Sequence, residues 1–320
     1  MSDTSKKALE DYIIDESGDV VATLCSEDND AEISTLRLSS KVLSLVSPVF
    51  KAMLNPAKGF KESCVKKDGT KEIRVTAFSE KSTILAMNIF HYRPENLPQN
   101  NELSSLDLYQ LAKFADYYQC QRVLEPWALI WAMPIWEKRC KSSTKYISRW
   151  LWIGISFRIP QIIKECAQEV FEHMKLEGGK FTIDEKPLHD AVSAKKVEII
   201  WNQREKHIQQ FIELVEAEYL NLKNKSKDKE TVSKCNITQL GTLKLVRLKI
   251  ALPNNGRDKM TFKEIFSMLR KVVKSGQCCH RNQDVGLCDT ALKRVLEATT
   301  QHEAATIKDT VLSAFGISDD

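Results

Sequence analysis

The chain has 320 residues, 42% hydrophobic and 28% charged, with 47 Lys and Arg against 43 Asp and Glu. At about 100–200 residues per domain, this length predicts about two domains. The composition excludes a wholly disordered, collagen-like or low-complexity chain. Residues 223–234 hold five Lys against two acids, a surplus of three out of the net charge of +4. The rest of the chain is close to neutral, which argues against nucleic acid as a partner.

The cysteine count and the hydropathy pattern indicate a reducing compartment. Nine cysteines in a chain of this length are not typical of a secreted disulfide scaffold. Residues 1–10 are polar, so no secretory signal is visible. The most apolar stretch, residues 127–136, is interrupted by Pro134, whereas a membrane span needs about 20 apolar residues. We therefore expect a protein of the cytoplasm or nucleus with no membrane partner.

The first elements predicted are a hairpin and a pair of short helices. Residues 1–11 read as a flexible arm, and residues 18–24 and 31–39 have the composition and alternation of two strands. Ser40 is a candidate N-cap for a helical face. The apolar positions of that face are Val42, Leu43, Leu45, Val46, Val49, Phe50, Met53 and Leu54. Pro48 lies inside this pattern and predicts a break near Val46-Ser47.

The next elements complete a domain of about 125 residues. Residues 71–78 alternate as a third strand, Ser79 is placed to cap a following helix, and Pro94 and Pro98 bracket a loop. Residues 106–132 predict two helices meeting near Gln119-Cys120. The order of hairpin, two short helices, strand, helix, loop and two helices predicts an α+β fold with a small sheet against a helical cluster.

The rest of the chain is predicted to be helical. Residues 136–222 form a helical extension, in which Gly178-Gly179 reads as a C-terminal helix stop and residues 183–194 as a further helix. Residues 223–234 are a charged linker. Residues 235–320 form a last helical unit that holds four of the nine cysteines.

Several segments resemble the BTB (POZ) domain, in particular its fungal branch. They are Gly18-Asp-Val-Val-Ala-Thr-Leu24, residues 38–54 with Ser47-Pro48-Val49-Phe50 at the centre, Phe60-Lys-Glu-Ser63, residues 71–77, residues 108–120 and Pro126-Trp-Ala-Leu-Ile-Trp131. The resemblance covers residues 12–135. The sequence departs from animal members just before the first helix, where their usual His corresponds to the Ser39-Ser40 pair.

The resemblance implies a protein-interaction protein and not an enzyme. BTB domains self-associate, and many bind cullin scaffolds of ubiquitin ligases or transcriptional co-regulators. Cullin-binding members use a hydrophobic-x-Glu motif, which corresponds here to Phe60 and Glu62. Alternatively, Phe60 folds back on the core and Glu62 is solvated. A homodimer that exchanges the strand near Tyr12 is also implied, against a monomer whose first strand pairs internally.

Two apolar clusters could each form either a partner-binding site or internal packing. Five of the six Trp lie between residues 127 and 152, and we favour a seam between the domain and its extension over an exposed partner site. The second cluster is a helical stripe at Ile208, Phe211, Ile212, Val215, Tyr219 and Leu222. A partner helix could lie on it, but packing within the extension is the default.

The C-terminal cysteines raise the possibility of zinc. Cys235, Cys279, His280 and Cys288 could supply four thiolate and imidazole ligands, with Cys278 competing for the place of Cys279. The Cys-x₂-Cys spacing of strong zinc motifs is absent, so reduced core cysteines and a surface His are the alternative. No other cofactor is expected.

Catalysis has no support in the sequence. The Gly178-Gly-Lys180 stretch lacks the earlier Gly and the adjacent Ser or Thr of a phosphate-binding loop, and no recognised nucleophile or metalloprotease motif occurs. We therefore expect no catalytic residues and a function in self-association, partner recruitment or both. The alternative is a transcription-related regulator with a zinc-stabilised C-terminal unit.

Overall fold

The computed structural model describes residues 10–26, 30–76, 78–99, 102–139, 146–183, 186–187, 194–225, 234–250, 260–275 and 290–303. The fold is α+β as predicted, with a small mixed sheet near the N-terminus followed mostly by helices. The chain divides into two compact units, residues 1–142 with 149–162 and residues 143–148 with 163–320.

The first unit contains a four-stranded sheet in the order β1-β3-β2-β4. The strands are β1 (Glu10–Ile13), β2 (Val20–Cys25), β3 (Glu32–Leu38) and β4 (Lys71–Val75). The predicted hairpin is confirmed, since β2 and β3 pair antiparallel. β1 runs parallel to β3 within the same chain, and β4 runs parallel to β2. Strand β1 includes Glu10 and Asp11, which the sequence had assigned to the flexible arm.

The helices of the first unit follow the predicted order. They are α1 (Ser40–Val46), α2 (Pro48–Met53), α3 (Glu80–Phe90), α4 (Ser105–Tyr118), α5 (Gln121–Lys138) and α6 (Ile147–Ser156). The predicted break before Pro48 is confirmed, as is the Ser79 cap, whose hydroxyl accepts the N–H of Ser82 at 3.2 Å. The predicted junction of α4 and α5 falls at Gln119, whose φ of 52° is left-handed.

The start of α1 is held by a carboxylate from the sheet. Ser40, predicted as the N-cap, is the first helical residue, and Ser39 occupies the cap position without a side-chain bond. The carboxylate of Asp19 accepts the backbone N–H of Ser40 at 2.8 Å and its hydroxyl at 2.6 Å. Burial alone would raise the pKa of Asp19, but these two bonds hold it below its ordinary value. A charged acceptor thus caps α1 from 21 residues away in sequence.

Aromatic packing forms much of the core of the first unit. Phe50 stacks on Tyr118 with ring centroids 4.2 Å apart, and Phe114 lies 4.6 Å from Tyr118. Trp136 of α5 meets Trp150 of α6 edge to face at 5.2 Å, and both are buried. This contact packs two helices together through tryptophans, but both residues belong to the predicted extension, so the seam between domain and extension stays a prediction.

The second unit contains a small sheet where the sequence predicted only helices. After α7 (Pro160–His173), the strands β5 (Lys175–Glu177), β6 (Lys180–Ile183) and β7 (Lys186–Pro187) pair antiparallel. Gly178 and Gly179 have φ of 58° and 77° and form the two-residue turn of a hairpin. The prediction of a helix stop at these glycines was therefore wrong. The helix predicted over residues 183–194 is wrong at Ile183 and at residues 186–187, which are strand, and residues 184–185 and 188–193 lie outside the described residues.

Four described helices complete the second unit. They are α8 (Ala194–Lys225), α9 (Lys234–Ile250), α10 (Phe262–Ser275) and α11 (Thr290–Glu303). Two of them, α8 and α10, meet through phenylalanines. Phe211 of the predicted stripe is fully buried and lies 5.2 Å from Phe266 of α10. The stripe on α8 thus packs within the chain, against a helix of the 235–320 segment rather than within residues 136–222. The middle of the predicted linker, residues 226–233, lies outside the described residues.

Candidate functional site

An apolar groove of about 450 Å³ lies between α2 and the turn that follows it. We call it the α2 groove. Its lining residues are Pro48, Val49, Ala52, Met53, Phe60, Glu62 and Gln119. The fold thus brings the two residues predicted for partner binding, Phe60 and Glu62, together with one face of a helix and the end of α4.

Helix α2 presents this face because the face beside it is anchored in the core. Ser47 accepts the backbone N–H of Phe50 at 3.1 Å and donates its hydroxyl to the carbonyl of Tyr118 at 2.5 Å. Phe50 is fully buried and stacked on Tyr118. Val49 and Met53, one helical turn apart, lie along the edge of this buried face, are half-buried, and line the groove.

The sequence had placed Val49 and Met53 on one apolar helix face. Residues 42–54 contain eight apolar positions. A surface helix usually buries three to four positions in two turns, so a run this short cannot bury all eight on one face. This excess is the signal that could have indicated an exposed apolar surface before the structure was known.

The turn that carries Phe60 is fixed by local hydrogen bonds. Asn55 caps its first part by accepting the N–H of Ala57 at 3.0 Å, and Gly59 has a left-handed φ of 69°. The carbonyl of Phe60 accepts the N–H and hydroxyl of Ser63 at 3.0 and 2.6 Å. This geometry leaves the Phe60 side chain 48% exposed instead of folded into the core.

Electrostatically, the α2 groove has one carboxylate in a basic setting. Residues 40–67 contain six Lys, and Glu62 is their only acid. Lys51, Lys58 and Lys61 are exposed, whereas Glu62 is half-buried beside the apolar lining. A partner that covers the groove would therefore meet an aromatic side chain and one partly desolvated carboxylate, which can fix its orientation.

The predicted zinc ligands lie outside what the structure describes. Cys279, His280 and Cys288, with the competing Cys278, fall within residues 276–289, and the side chain of Cys235 in α9 is likewise not described. Within the described ranges, no cluster of three or more His, Cys, Asp or Glu could hold a metal ion. The zinc site stays a prediction.

Of the described cysteines of the first unit, Cys64 is exposed, whereas Cys25 and Cys120 are buried. Burial raises the pKa of the Cys120 thiol to about 12, so it is a neutral thiol at physiological pH. Burial also raises the pKa of Cys25, although its sulfur accepts a hydrogen bond from Arg74 at 3.1 Å. Both behave as small apolar core residues.

Comparison with known proteins adds no relative to this picture. A scan against models of known protein families finds no match, and a search of curated proteins finds none either. The resemblance to the BTB domain therefore rests on the sequence segments given above. None of the helices that the structure describes has the length and apolar character required to cross a membrane.

Proposed function

We propose that this chain is a non-enzymatic interaction protein that recruits a protein partner through the α2 groove. One observation carries the proposal: Phe60 is 48% exposed and lines an apolar groove that Glu62 also lines. The order of elements and the segments that resemble the BTB domain support it. By that resemblance, the partner is a cullin scaffold.

The affinity for a partner would come from Phe60, an aromatic side chain that is only partly buried and sits on a rigid turn. Fully burying a Phe side chain stabilises a complex by about 1.5–3 kcal/mol. Interfaces concentrate their binding energy in a few such residues, ringed by contacts that exclude water. The capped turn between Asn55 and Ser63 holds Phe60 in place before binding, so little conformational entropy is lost when a partner arrives.

The proposal predicts that Phe60→Ala weakens partner binding about 30- to 100-fold, the loss of one anchoring aromatic. Glu62→Gln should weaken it about tenfold, because the partner group facing the carboxylate loses its charge partner. The measurement is biolayer interferometry of the purified full chain against a panel of purified cullin scaffolds. Val65→Ala is the matched control, since Val65 is 60% exposed nearby but does not line the groove, and it should change affinity less than twofold.

Two results would count against the proposal. If the wild-type chain binds none of the cullins, the cullin assignment fails. Affinity purification with mass spectrometry, run on the same three variants, then tests the groove itself. Partner lists for Phe60→Ala that match those of wild type and Val65→Ala, with all proteins equally folded by thermal melting, would overturn recruitment through the α2 groove.

Self-association is a second candidate activity, favoured by a separate surface. Leu45 of α1 is 87% exposed, and its neighbours Val42 and Val46 are half-buried. Because β1 pairs with β3 of its own chain, a dimer does not require strand exchange. We therefore place the self-association surface on α1. The alternative of a zinc-stabilised transcription regulator rests on residues outside the described part of the chain and gains no support from the rest.

A further inference from the structure

A second and larger groove, of about 670 Å³, lies in the first unit between α3 and the segment formed by residues 94–99 and 102–103. We call it the α3 groove. Its lining is part polar and part apolar; the apolar part, which we call the floor, includes Ile84, Leu85 and Leu103, of which Leu85 and Leu103 are buried, and Tyr12 of strand β1 also lines the groove. The volume lies within the range of roughly 300–1,000 Å³ typical of ligand sites. None of these residues belongs to the α2 groove.

Hydrogen bonds fix the outer wall of the α3 groove. The indole N–H of Trp131 donates to the carbonyl of Pro98 at 3.2 Å. The amide of Asn96 donates to the side-chain oxygen of Asn88 at 3.1 Å, and Asn88 is itself buried in α3 and donates to the carbonyl of Ile84 at 2.9 Å. The segment is thus tied to α3 and α5, so the groove exists before anything binds.

The rim of the α3 groove is acidic. Glu80, Glu95 and Glu102 line it, and Lys81 is the only cation among its lining residues. The ammonium of Lys81 already donates to the carboxylate of Asp107 at 3.0 Å and to the carbonyl of Glu102 at 3.2 Å. Glu80 makes no ion pair with any other described residue.

The surrounding sequence strengthens this charge. Residues 10–16, on either side of Tyr12, carry four acids and no Lys or Arg. Within residues 94–112, Asp107 adds one acid to Glu95 and Glu102, whereas Arg93, just before this stretch, lies 3.9 Å from Glu95. With Lys81 and Arg93 counted, acids still outnumber cations around the groove, and the potentials of charges within about 8–10 Å add at physiological salt, so its surroundings are negative.

We infer that the α3 groove binds a basic peptide segment of a partner protein, in which Lys or Arg side chains flank an apolar one. The apolar side chain would occupy the floor beside Ile84 and Leu103, and the cations would face Glu80, Glu95 and Glu102 on the rim. Charge complementarity excludes an acidic occupant, and the apolar floor favours a peptide over a bare cation. This site goes beyond the proposed function, because it shares no residue with the α2 groove.

The test uses the full chain and three labelled hexapeptides, of alternating Lys and Leu, alternating Lys and Gly, and alternating Glu and Leu. Fluorescence anisotropy should show the Lys-Leu peptide binding at least tenfold more tightly than the other two, with affinity falling as salt rises. The double variant Glu80→Gln, Glu102→Gln should weaken Lys-Leu binding about tenfold. The control Glu137→Gln, Glu198→Gln makes the same change in net charge at exposed positions outside the groove and should leave binding within twofold.

Charge reversal keeps the test decisive even if the glutamine variants differ slightly in stability. Glu80→Lys, Glu102→Lys should reject the Lys-Leu peptide and bind the Glu-Leu peptide instead. Equal Lys-Leu affinity for the double variant and its control, equal binding of the Lys-Gly peptide, or full competition by free spermidine would each overturn the inference. Phe60→Ala should leave Lys-Leu binding unchanged, which separates this site from the α2 groove.

Discussion

At the residue scale, His91 ties the end of α3 to the start of α1 through two hydrogen bonds. Its Nδ1 lies 2.9 Å from the carbonyl of Met87, and its Nε2 accepts the backbone N–H of Ser39 at 3.0 Å. A carbonyl can only accept and an N–H can only donate, so the ring is neutral with its proton on Nδ1. Protonation at Nε2 would break the bond to Ser39.

The first unit should therefore lose stability as the pH falls below about 6.5, the ordinary pKa of His. Burial lowers the pKa of His91, and Arg93 adds to this, while the bond to Met87 and the nearby Asp15 oppose it. The unfolded chain thus takes up a proton at a higher pH than the folded one. The neutral His91 ring contributes its full stabilisation at pH values above its pKa in the unfolded chain. This contribution is lost as the pH falls through its pKa in the folded chain.

Urea unfolding at pH 7.5 and pH 5.5, followed by tryptophan fluorescence, measures this loss. Five of the six Trp lie in the first unit, so the signal reports mainly on that unit. His91→Gln should cost about 1–2 kcal/mol at pH 7.5 through weakened hydrogen bonds, and should unfold with a smaller difference between the two pH values than wild type. His173→Gln, in the second unit, is the control and should keep the wild-type difference. An unchanged difference in His91→Gln would contradict the role given to this ring.

Exposure is the residue property that the sequence could not supply. Leu43 and Leu45 are two positions apart in α1, yet Leu43 is fully buried and Leu45 is 87% exposed. Positions two apart lie on opposite sides of a helix, so one face cannot bury both, and the tertiary fold decides which of the two is covered. Phe60 could be proposed from its resemblance to a known motif, but its exposure depends on the hydrogen-bonded turn around it.

At the element scale, Ser47 couples α2 to the end of α4. Its buried hydroxyl caps α2 and also bonds the carbonyl of Tyr118, next to Gln119 in the groove lining. Ser47→Ala leaves the N–H of Phe50 and the carbonyl of Tyr118 without this partner, and should destabilise the first unit by about 2 kcal/mol. Because α2 carries Val49 and Met53, partner binding at the α2 groove should weaken as well.

Urea unfolding of Ser47→Ala beside Ser44→Ala tests this coupling. Ser44 is a half-buried residue of α1 with no side-chain bond to another described residue, and its replacement should change stability by less than about 0.5 kcal/mol. If the two alanine variants unfold at the same urea concentration, Ser47 does not link the helices in the way the geometry indicates.

The elements that could be predicted are those with strong local signals. Pro48 breaks a helical run, Ser79 caps a helix, and the two strands of the hairpin alternate apolar and polar residues. The positions of these elements therefore follow from residues within one helical turn or one strand. The sheet β5–β7 was missed because strands of two to four residues show too little alternation to be distinguished from helix. The grooves were missed as surfaces because each draws its lining from separate segments that only the tertiary fold brings together.

At the scale of the whole molecule, the first unit carries two grooves in opposite electrostatic surroundings. The α2 groove lies in a segment with six Lys and one acid, whereas acidic residues border the α3 groove. A single ligand chemistry therefore cannot suit both surfaces. Such a unit is suited to bringing together two different partners, which agrees with a role in assembly.

Self-association through α1 is a property of the whole chain and can be separated from partner recruitment. In a dimer, Leu45 would move from water into an apolar interface, and stable interfaces bury about 1,200–2,000 Å² in total. Leu45→Glu would place an unpaired charge in that interface, at a cost of several kcal/mol. Sedimentation velocity at micromolar concentration should show a dimeric wild type and a monomeric Leu45→Glu variant. Leu129→Glu, which alters a 46% exposed leucine of α5, should stay dimeric.

The same variants separate the two activities, because Leu45 does not line the α2 groove. Monomeric Leu45→Glu should bind a cullin partner with the intrinsic affinity of wild type, and Phe60→Ala should remain dimeric while losing that partner. A wild-type chain that sediments as a monomer at every concentration, or equal behaviour of Leu45→Glu and Leu129→Glu, would remove α1 as the self-association surface. Neither result would bear on recruitment through Phe60, which the binding measurement with Phe60→Ala tests separately.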